Sequence, residues 1–351
     1  MQQDFHYNTI KVICEKVGLT PAEAQLVAYA SQFIDDATIH DSIKISGVKT
    51  SYPRYDGEEF DPVCTAHRGI QFIKGLYKSV QRRIYIPFHF IPYDRYEKKG
   101  KFDYLTYPNG KLARELVQRA LKFIVHNTGN KRHRALIKLG IALHTYADTW
   151  AHQGFSGRQS TLDNDIGNIH IYRNGEWDKI GLIKQLEFNL LPDIGHAEAW
   201  LYPDQSHLIW KYDCAFRKKT VTRNNTEIFL DAAKHIFEIL AEGLGTTVDC
   251  QPFLEKFKQC FSLQTDDLHQ KYDMFKLMFP EVKFHYSETE WRNKAIVAGE
   301  HEHTEQPGVS IQEDLTQKKF RFNSDRKWFY FHMEALKQRN WVMKQIKRNL
   351  R

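Results

Sequence analysis

The sequence predicts an all-α chain, folded as one multi-helix domain over residues 1–351 with a long loop after its central helix. Three observations predict it. Apolar residues recur at three- and four-residue spacing along most of the chain. Thr20-Pro21-Ala22-Glu23 is a capping box with proline at the first helical position. Strand signals are few, with Arg83–Pro87 and Ile169–Tyr172 the main short extended runs.

In chain order, residues 5–17 read as a helix stopped by Gly18, and the capping box opens a second helix to about Ala37. Further helices are expected near 67–83, 111–126 and 131–152, the last ending at Gly154. From Gly154 to about Ser206 the chain is rich in Gly, Asn, Asp and Pro, and a loop of that length is usually functional or disordered. Asn174-Gly175 marks a small hairpin within it. Helices near 226–242, 251–261, 265–279 and 326–349 follow, and residues 298–310 read as a flexible segment.

At 351 residues and 42% hydrophobic, the chain can bury a large core. It has no apolar run of 18 residues, which excludes a conventional membrane-spanning helix. The start, Met1-Gln2-Gln3-Asp4, lacks the basic and apolar regions of a secretory signal, so a cytoplasmic protein, or one exported without a classical signal peptide, is expected. Five cysteines without a CxxC pair argue against a disulfide framework or thiolate zinc. With 17 histidines, a metal here is expected among His and carboxylate ligands. The net charge of +7 is concentrated at the C-terminus, where eleven Lys or Arg from Lys318 onward face only Asp325 and Glu334. Such a helix can touch a membrane surface or nucleic acid through phosphates, but Trp328, Phe331, Ala335, Val342 and Ile346 fall near helical spacing and favour docking on the core. No obligate protein partner is inferred.

The most informative motif is His144-Thr145-Tyr146-Ala147-Asp148-Thr149-Trp150-Ala151-His152. At about 100° per residue, a step of four turns a side chain by only about 40°, so His144, Asp148 and His152 share one helix face. Histidines at that spacing bind zinc, and an interposed aspartate can bridge to a second ion. A second cluster, Asp35-Asp36 with His40, ends the second helix, where adjacent acids oppose the helix dipole and call for a cation. His6, His67 and His196 each stand near a helix end or loop as further candidates; His89, ringed by apolar residues in Pro87–Pro92, reads as a buried, hydrogen-bonded histidine. His301 and His303 read as solvated. A di-iron bundle would need two Glu-x-x-His pairs on helices, which the sequence lacks, and no Walker loop, GxGxxG, GxSxG or HExxH occurs. His40-Asp41 is the adjacent pair an HD-type phosphohydrolase would use, but that reading leaves the 144–152 triplet idle.

The blocks DFHY (4–7), ASQFIDDAT (30–38), TAH (65–67), PFHFIP (87–92), LGIALHTYADTWAHQGFSG (139–157) and IGHAEAWLYPD (194–204) together resemble an uncharacterised bacterial family of about this length. More distantly, their order resembles the all-α superfamily of zinc-dependent phospholipases C and single-strand nucleases. That resemblance implies His6 as an early ligand, Asp36 or Asp35 as the first acid and His67 as the next histidine. It makes His144 and the bridging Asp148 the helix pair, and gives His152 and His196 to another ion with Glu198 or Asp204. In that superfamily a processed N-terminal amine also ligates; this chain shows no signal to be processed, so one to three ions are expected, zinc foremost, with manganese or iron as alternatives.

The expected function is a metal-dependent hydrolase of phosphate esters, in particular phosphodiesters of lipid or nucleic acid. Asp35 or Asp36 would orient the attacking water and Arg158 would hold a phosphate. Phe155 and Trp200 are candidates for an apolar rim. The competing expectation is a non-catalytic protein whose metal staples helices together.

Overall fold

The computed structural model describes residues 1–48, 52, 54–67, 74, 76–94, 104–181, 194–214, 218–298, 319–323 and 325–347. The expected flexible segment and its His301-Glu302-His303 therefore lie almost wholly outside the described residues.

A π-helical segment, Asp4–Thr9, runs on into α1 (Ile10–Lys16), and Gly18 turns the chain at φ +98°. Thr20 accepts from the Glu23 amide while Glu23 accepts from the Thr20 amide, so the capping box does start α2 (Pro21–Asp36). Strands β1 (Ile43–Ser46) and β2 (Glu59–Phe60) follow. A short helix α3 (Lys78–Val80) passes into a second π-helical segment, Gln81–His89. A strand is expected over Arg83–Pro87, and the structure corrects it: Ile84, Tyr85, Ile86 and Phe88 are all buried, and Phe90 N–H reaches back five residues to the Tyr85 carbonyl at 2.8 Å. The wider winding accommodates Pro87, which has no N–H to give.

Next come α4 (Lys111–Val125) and the 23-residue α5 (Gly129–Ala151). Helix α5 crosses α2 at Gly140, where an added Cβ would lie 2.2 Å from the Val27 carbonyl oxygen. Only hydrogen fits there, and this close approach brings the C-terminal acids of α2 to the second half of α5.

The all-α expectation is overturned: among the described residues 55% are helical and 14% strand, with two four-stranded sheets. After α6 (Thr161–Asn164), the segment expected as a long loop carries β3 (Ile166–Arg173) and β4 (Glu176–Lys179). The hairpin at Asn174-Gly175 is present, both residues with positive φ, and it is half of a sheet ordered β4-β3-β5-β6 with β5 (Ile209–Cys214) and β6 (Lys219–Asn224). The strands run four to eight residues, and only β5 buries strictly alternate side chains, Trp210, Tyr212 and Cys214, which makes a weaker signal than the long helices around them. Helices α7 (Asn225–Leu244), α8 (Gln251–Phe261), α9 (Leu268–Met278) and α10 (Glu290–Ala295) match or extend the expected series. The other sheet, β2-β1-β8-β7, is completed by β7 (Ile296–Ala298) and β8 (Lys319–Phe322), with β1 and β8 parallel.

The C-terminal helix α11 (Lys327–Lys347) buries Trp328, Phe331, Ala335, Val342 and Ile346, so its apolar stripe does dock on the core. Two apolar clusters result. The larger is built by the helices; the smaller joins the β4-β3-β5-β6 sheet to Tyr85, Phe90 and Phe155. No helix among the described residues is long and apolar enough to cross a membrane.

Candidate metal centre

Five histidines and three aspartates converge where the two clusters meet. Helix α5 supplies His144 and Asp148, with His152 as its C-cap; α2 supplies Asp35 from its last turn. Each π-helical segment supplies one histidine, His6 and His89. His196 precedes one single-turn helix, Ala197–Ala199, and Asp204 ends the next, Tyr202–Asp204. The side chains form three groups.

In the first, His89 Nδ1, His144 Nε2 and Asp148 Oδ2 lie 3.2 Å from one another, and Asp35 Oδ1 stands 3.6 Å from His144 Nε2 and 3.9 Å from His89 Nδ1. Ligands placed tetrahedrally at zinc–nitrogen and zinc–oxygen bond lengths are separated by about 3.3–3.6 Å. In the second, Asp148 turns its other oxygen, Oδ1, to His6 Nε2 at 3.1 Å and to the Met1 nitrogen at 3.0 Å. In the third, Asp204 meets His152 Nε2 at 3.1 Å through Oδ1 and His196 Nε2 at 3.3 Å through Oδ2. The Met1 nitrogen also lies 2.8 Å from Asp204 Oδ1, linking the second and third groups. Asp148 is thus placed to bridge two ions with its two oxygens.

Backbone carbonyls set the histidine tautomers. His89 Nε2 faces the Thr65 carbonyl at 2.9 Å, His152 Nδ1 the His89 carbonyl at 2.8 Å and His196 Nδ1 the Trp200 carbonyl at 2.8 Å. A carbonyl only accepts, so each of these nitrogens carries the hydrogen, and in the neutral ring the opposite nitrogen turns a lone pair into the cluster. Metal-bound histidines are oriented in this way. His6 Nδ1 and His144 Nδ1 are buried without a hydrogen-bond partner among the described residues.

The electrostatics point the same way. Asp35, Asp148 and Asp204 against one ammonium leave a formal charge of −2 before any histidine takes a proton, and Asp148 and Asp204 are buried. Uncompensated charge in such a place is costly. Burial would raise both carboxyls, but the surrounding imidazoles and the Met1 amine outweigh it and hold both well below the usual range. Burial pushes His6 down to about 4, with His144 and the amine adding to the effect. Burial likewise takes His196 to about 4, against the pull of Asp204. Burial would lower the Met1 amine, yet Asp148, Asp204 and Asp35 raise it to about 11. His89 is raised because Asp148 and Asp35 outweigh its burial. Those two groups are where protons would compete with an ion.

The surroundings hold the ligands rigidly. The buried Arg223 donates to the Trp150 and Ala151 carbonyls at 3.1 and 2.7 Å, capping α5 just before His152. Gly195, at φ +57°, has the Phe90 ring 2.3 Å from where a Cβ would stand, and Phe90 stacks on His152 at 4.5 Å. Asp4, paired with Lys271 at 3.0 Å and bonded by Ser206, anchors the first turn beneath Met1.

The structure thus brings together His6, Asp35, His144, Asp148, His152 and His196 of the expected residues. It places others elsewhere. His67 faces the Tyr85 hydroxyl at 3.2 Å, and His89, read from sequence as a buried histidine held only by hydrogen bonds, occupies the position expected of it. Asp36 turns to Gln32 and to the Tyr286 hydroxyl, leaving Asp35 as the acid of the site. Glu198 accepts from the Ile166 amide, so Asp204 is the acid beside His196. Arg158 is exposed, with its guanidinium 4.4 Å over the Tyr104 ring. Phe155 is buried, while Trp200 is 52% exposed. His40 and Asp41 pair at the surface, 3.5 Å apart, away from His6. The superfamily resemblance raised an N-terminal amine ligand, which the polar start and missing processing signal argued against, yet the Met1 nitrogen stands between Asp148 and Asp204.

A family model described as "Family of unknown function (DUF6765)" matches residues 1–346. No curated protein and no solved structure matches the chain. The family match carries no link to the zinc-dependent phospholipases C.

Proposed function

We propose that this chain, which belongs to that family of unknown function, is a metal-dependent hydrolase of phosphodiesters. The observation that carries the reading is the first group, where four ligand atoms from three elements sit near tetrahedral edge distances around a shared point. The donor set is His and Asp only, which suits zinc, manganese or iron, and the buried negative charge needs a cation to balance it. Closely spaced divalent ions supply hydroxide near neutral pH and stabilise charge on the attacking and leaving oxygens. Asp35, His89, His144 and Asp148 would hold one ion; Asp148, His6 and the Met1 nitrogen a second; His152, His196 and Asp204 a third.

The chain's own groups divide the remaining work. Asp35 is the exposed edge of the cluster, with 31% of its side chain open, against 1% for Asp148. It is therefore the carboxylate that can meet substrate, orient a water and take its proton. The buried Asp148 and Asp204 fix charge and spacing. A structural staple would have a closed, four-coordinate and usually cysteine-rich site, whereas this one is cysteine-free and opens at Asp35.

The test is hydrolysis of bis(p-nitrophenyl) phosphate by purified protein of known metal content. The expected result is turnover that chelation abolishes and zinc or manganese restores, with Asp35→Asn binding metal more weakly and staying inactive even at metal concentrations that refill its site. Metal-loaded protein without turnover on any phosphodiester would reduce the site to a staple, and metal-free protein would remove the proposal's basis.

A further inference from the structure

A second concave site lies away from the metal centre, between α4, α5 and the C-terminal helix α11. It is a cavity of about 620 Å³, within the range of small-molecule sites. Small residues of α5, Ala135 and Ala142, line it about one turn either side of Lys138. The far wall is fixed by Gln338, whose amide donates to the Thr145 hydroxyl at 2.8 Å and the Pro87 carbonyl at 3.2 Å. The cavity is therefore a rigid feature of the helix packing.

Its charge is one-sided. Arg119, Lys131, Arg134, Lys138 and Lys337 line it, against the single carboxylate of Glu334. Glu334 is buried and already committed, bonding Arg134 at 2.5 Å and Lys337 at 3.0 Å. Among the described residues, Arg119, Lys131 and Lys138 have no carboxylate within salt-bridge distance. Two of them lie instead over aromatic faces, Lys138 at 4.1 Å from the Phe123 ring centre and Arg119 at 5.2 Å from that of Trp341. Burial lowers the Lys138 ammonium despite Glu334, with Arg119, Lys337 and Arg134 adding to the effect. Like charges gathered around a concavity are costly unless something anionic shares it.

We infer that this cavity binds a small molecule carrying two or more phosphate groups, held by Arg119, Lys131 and Lys138, with the half-exposed Phe123 ring at its edge as a surface for a planar group such as a nucleotide base. A single phosphate would leave most of these cations unused, and the volume admits a nucleoside diphosphate. The inference does not depend on the chemistry of the metal centre.

The experiment is calorimetric titration of the full chain with pyrophosphate and, separately, with ADP. Three proteins are compared: the wild type, an Arg119→Gln/Lys138→Gln double variant, and an Asp148→Asn/Asp204→Asn double variant of the metal centre. The expected result is saturable binding by wild type that weakens as salt rises. The cavity variant should bind at least tenfold more weakly, each charged contact being worth about a factor of ten or more. It should keep wild-type metal content, while the metal-centre variant keeps wild-type anion affinity. ADP binding more tightly than pyrophosphate would support use of the Phe123 ring; equal affinities would confine recognition to the phosphates and remove the base from the inference. Wild type that binds neither probe overturns the proposal. So does binding that survives in the cavity variant but is lost in the metal-centre variant, since the anion would then sit on the metals. Retention on phosphatidylserine vesicles without pyrophosphate or ADP binding, lost in the cavity variant, would assign the cations to a membrane surface instead.

Discussion

Replacing Asp148 by asparagine tests whether one carboxylate joins two ion sites. Oδ2 belongs to the group of Asp35, His89 and His144, while Oδ1 belongs to that of His6 and the Met1 nitrogen. Asp204 gives both oxygens to a single pair, His152 and His196. Asp148→Asn should therefore remove two ions and Asp204→Asn one. At free metal about a hundredfold above Kd, each bound ion stabilises the fold by about 2.7 kcal/mol. The metal-dependent stabilisation should then fall by about 5 kcal/mol in Asp148→Asn and by about 3 in Asp204→Asn. The assay pairs elemental analysis of gel-filtered protein with denaturant unfolding at fixed free metal. Each variant is also measured after chelation, so that the direct cost of the substitution cancels. Equal metal loss in the two variants, or wild-type metal content in Asp148→Asn, would refute the bridge.

Three further outcomes are expected. His89→Ala should release one ion and cut turnover, while His67→Ala, which disturbs only the contact with Tyr85, should leave metal content unchanged; elemental analysis separates them. Gly140→Ala should destabilise by about 1–3 kcal/mol or more, because its methyl would meet the Val27 carbonyl at 2.2 Å, and by moving α2 it should also weaken metal binding at Asp35; unfolding and metal titration read the two effects. His332 is buried, accepts from the Val63 amide, and is pushed by burial from 6.5 to about 3. The unfolded chain takes up this proton first, so its contribution is complete above about pH 6.5 and is lost as pH falls towards 3. His332→Gln should flatten that acid limb, by an amount on the order of 3 kcal/mol between pH 7 and 4 in urea titrations; superimposable pH profiles would contradict it.

The relation of His144, Asp148 and His152 was legible in the sequence because it lies within one helix, where spacing alone fixes direction. The capping box, the glycine stop at Gly18 and the apolar stripe of the last helix were legible for the same reason, since local chemistry dictates them. The β4-β3-β5-β6 sheet was not. Its hairpin was visible at Asn174-Gly175, but the pairing of β3 with β5 joins short strands across residues 166–214, and their alternation covers only a few residues each.

The choice among candidate ligands also needed the tertiary structure. Asp35 and Asp36 are adjacent and chemically identical; the α2–α5 crossing at Gly140 turns one to His144 while Tyr286 takes the other. His89 looked like core because apolar residues surround it, and it is indeed buried, but the Thr65 carbonyl fixes its tautomer so that Nδ1 faces the cluster. The Met1 nitrogen reaches Asp148 across 147 residues and Asp204 across 203, distances over which sequence spacing carries no direction. The sequence by itself determined which residue types were available and how those on one helix are aligned. Only the packing of separate elements decided which of them meet, because that depends on where whole helices cross.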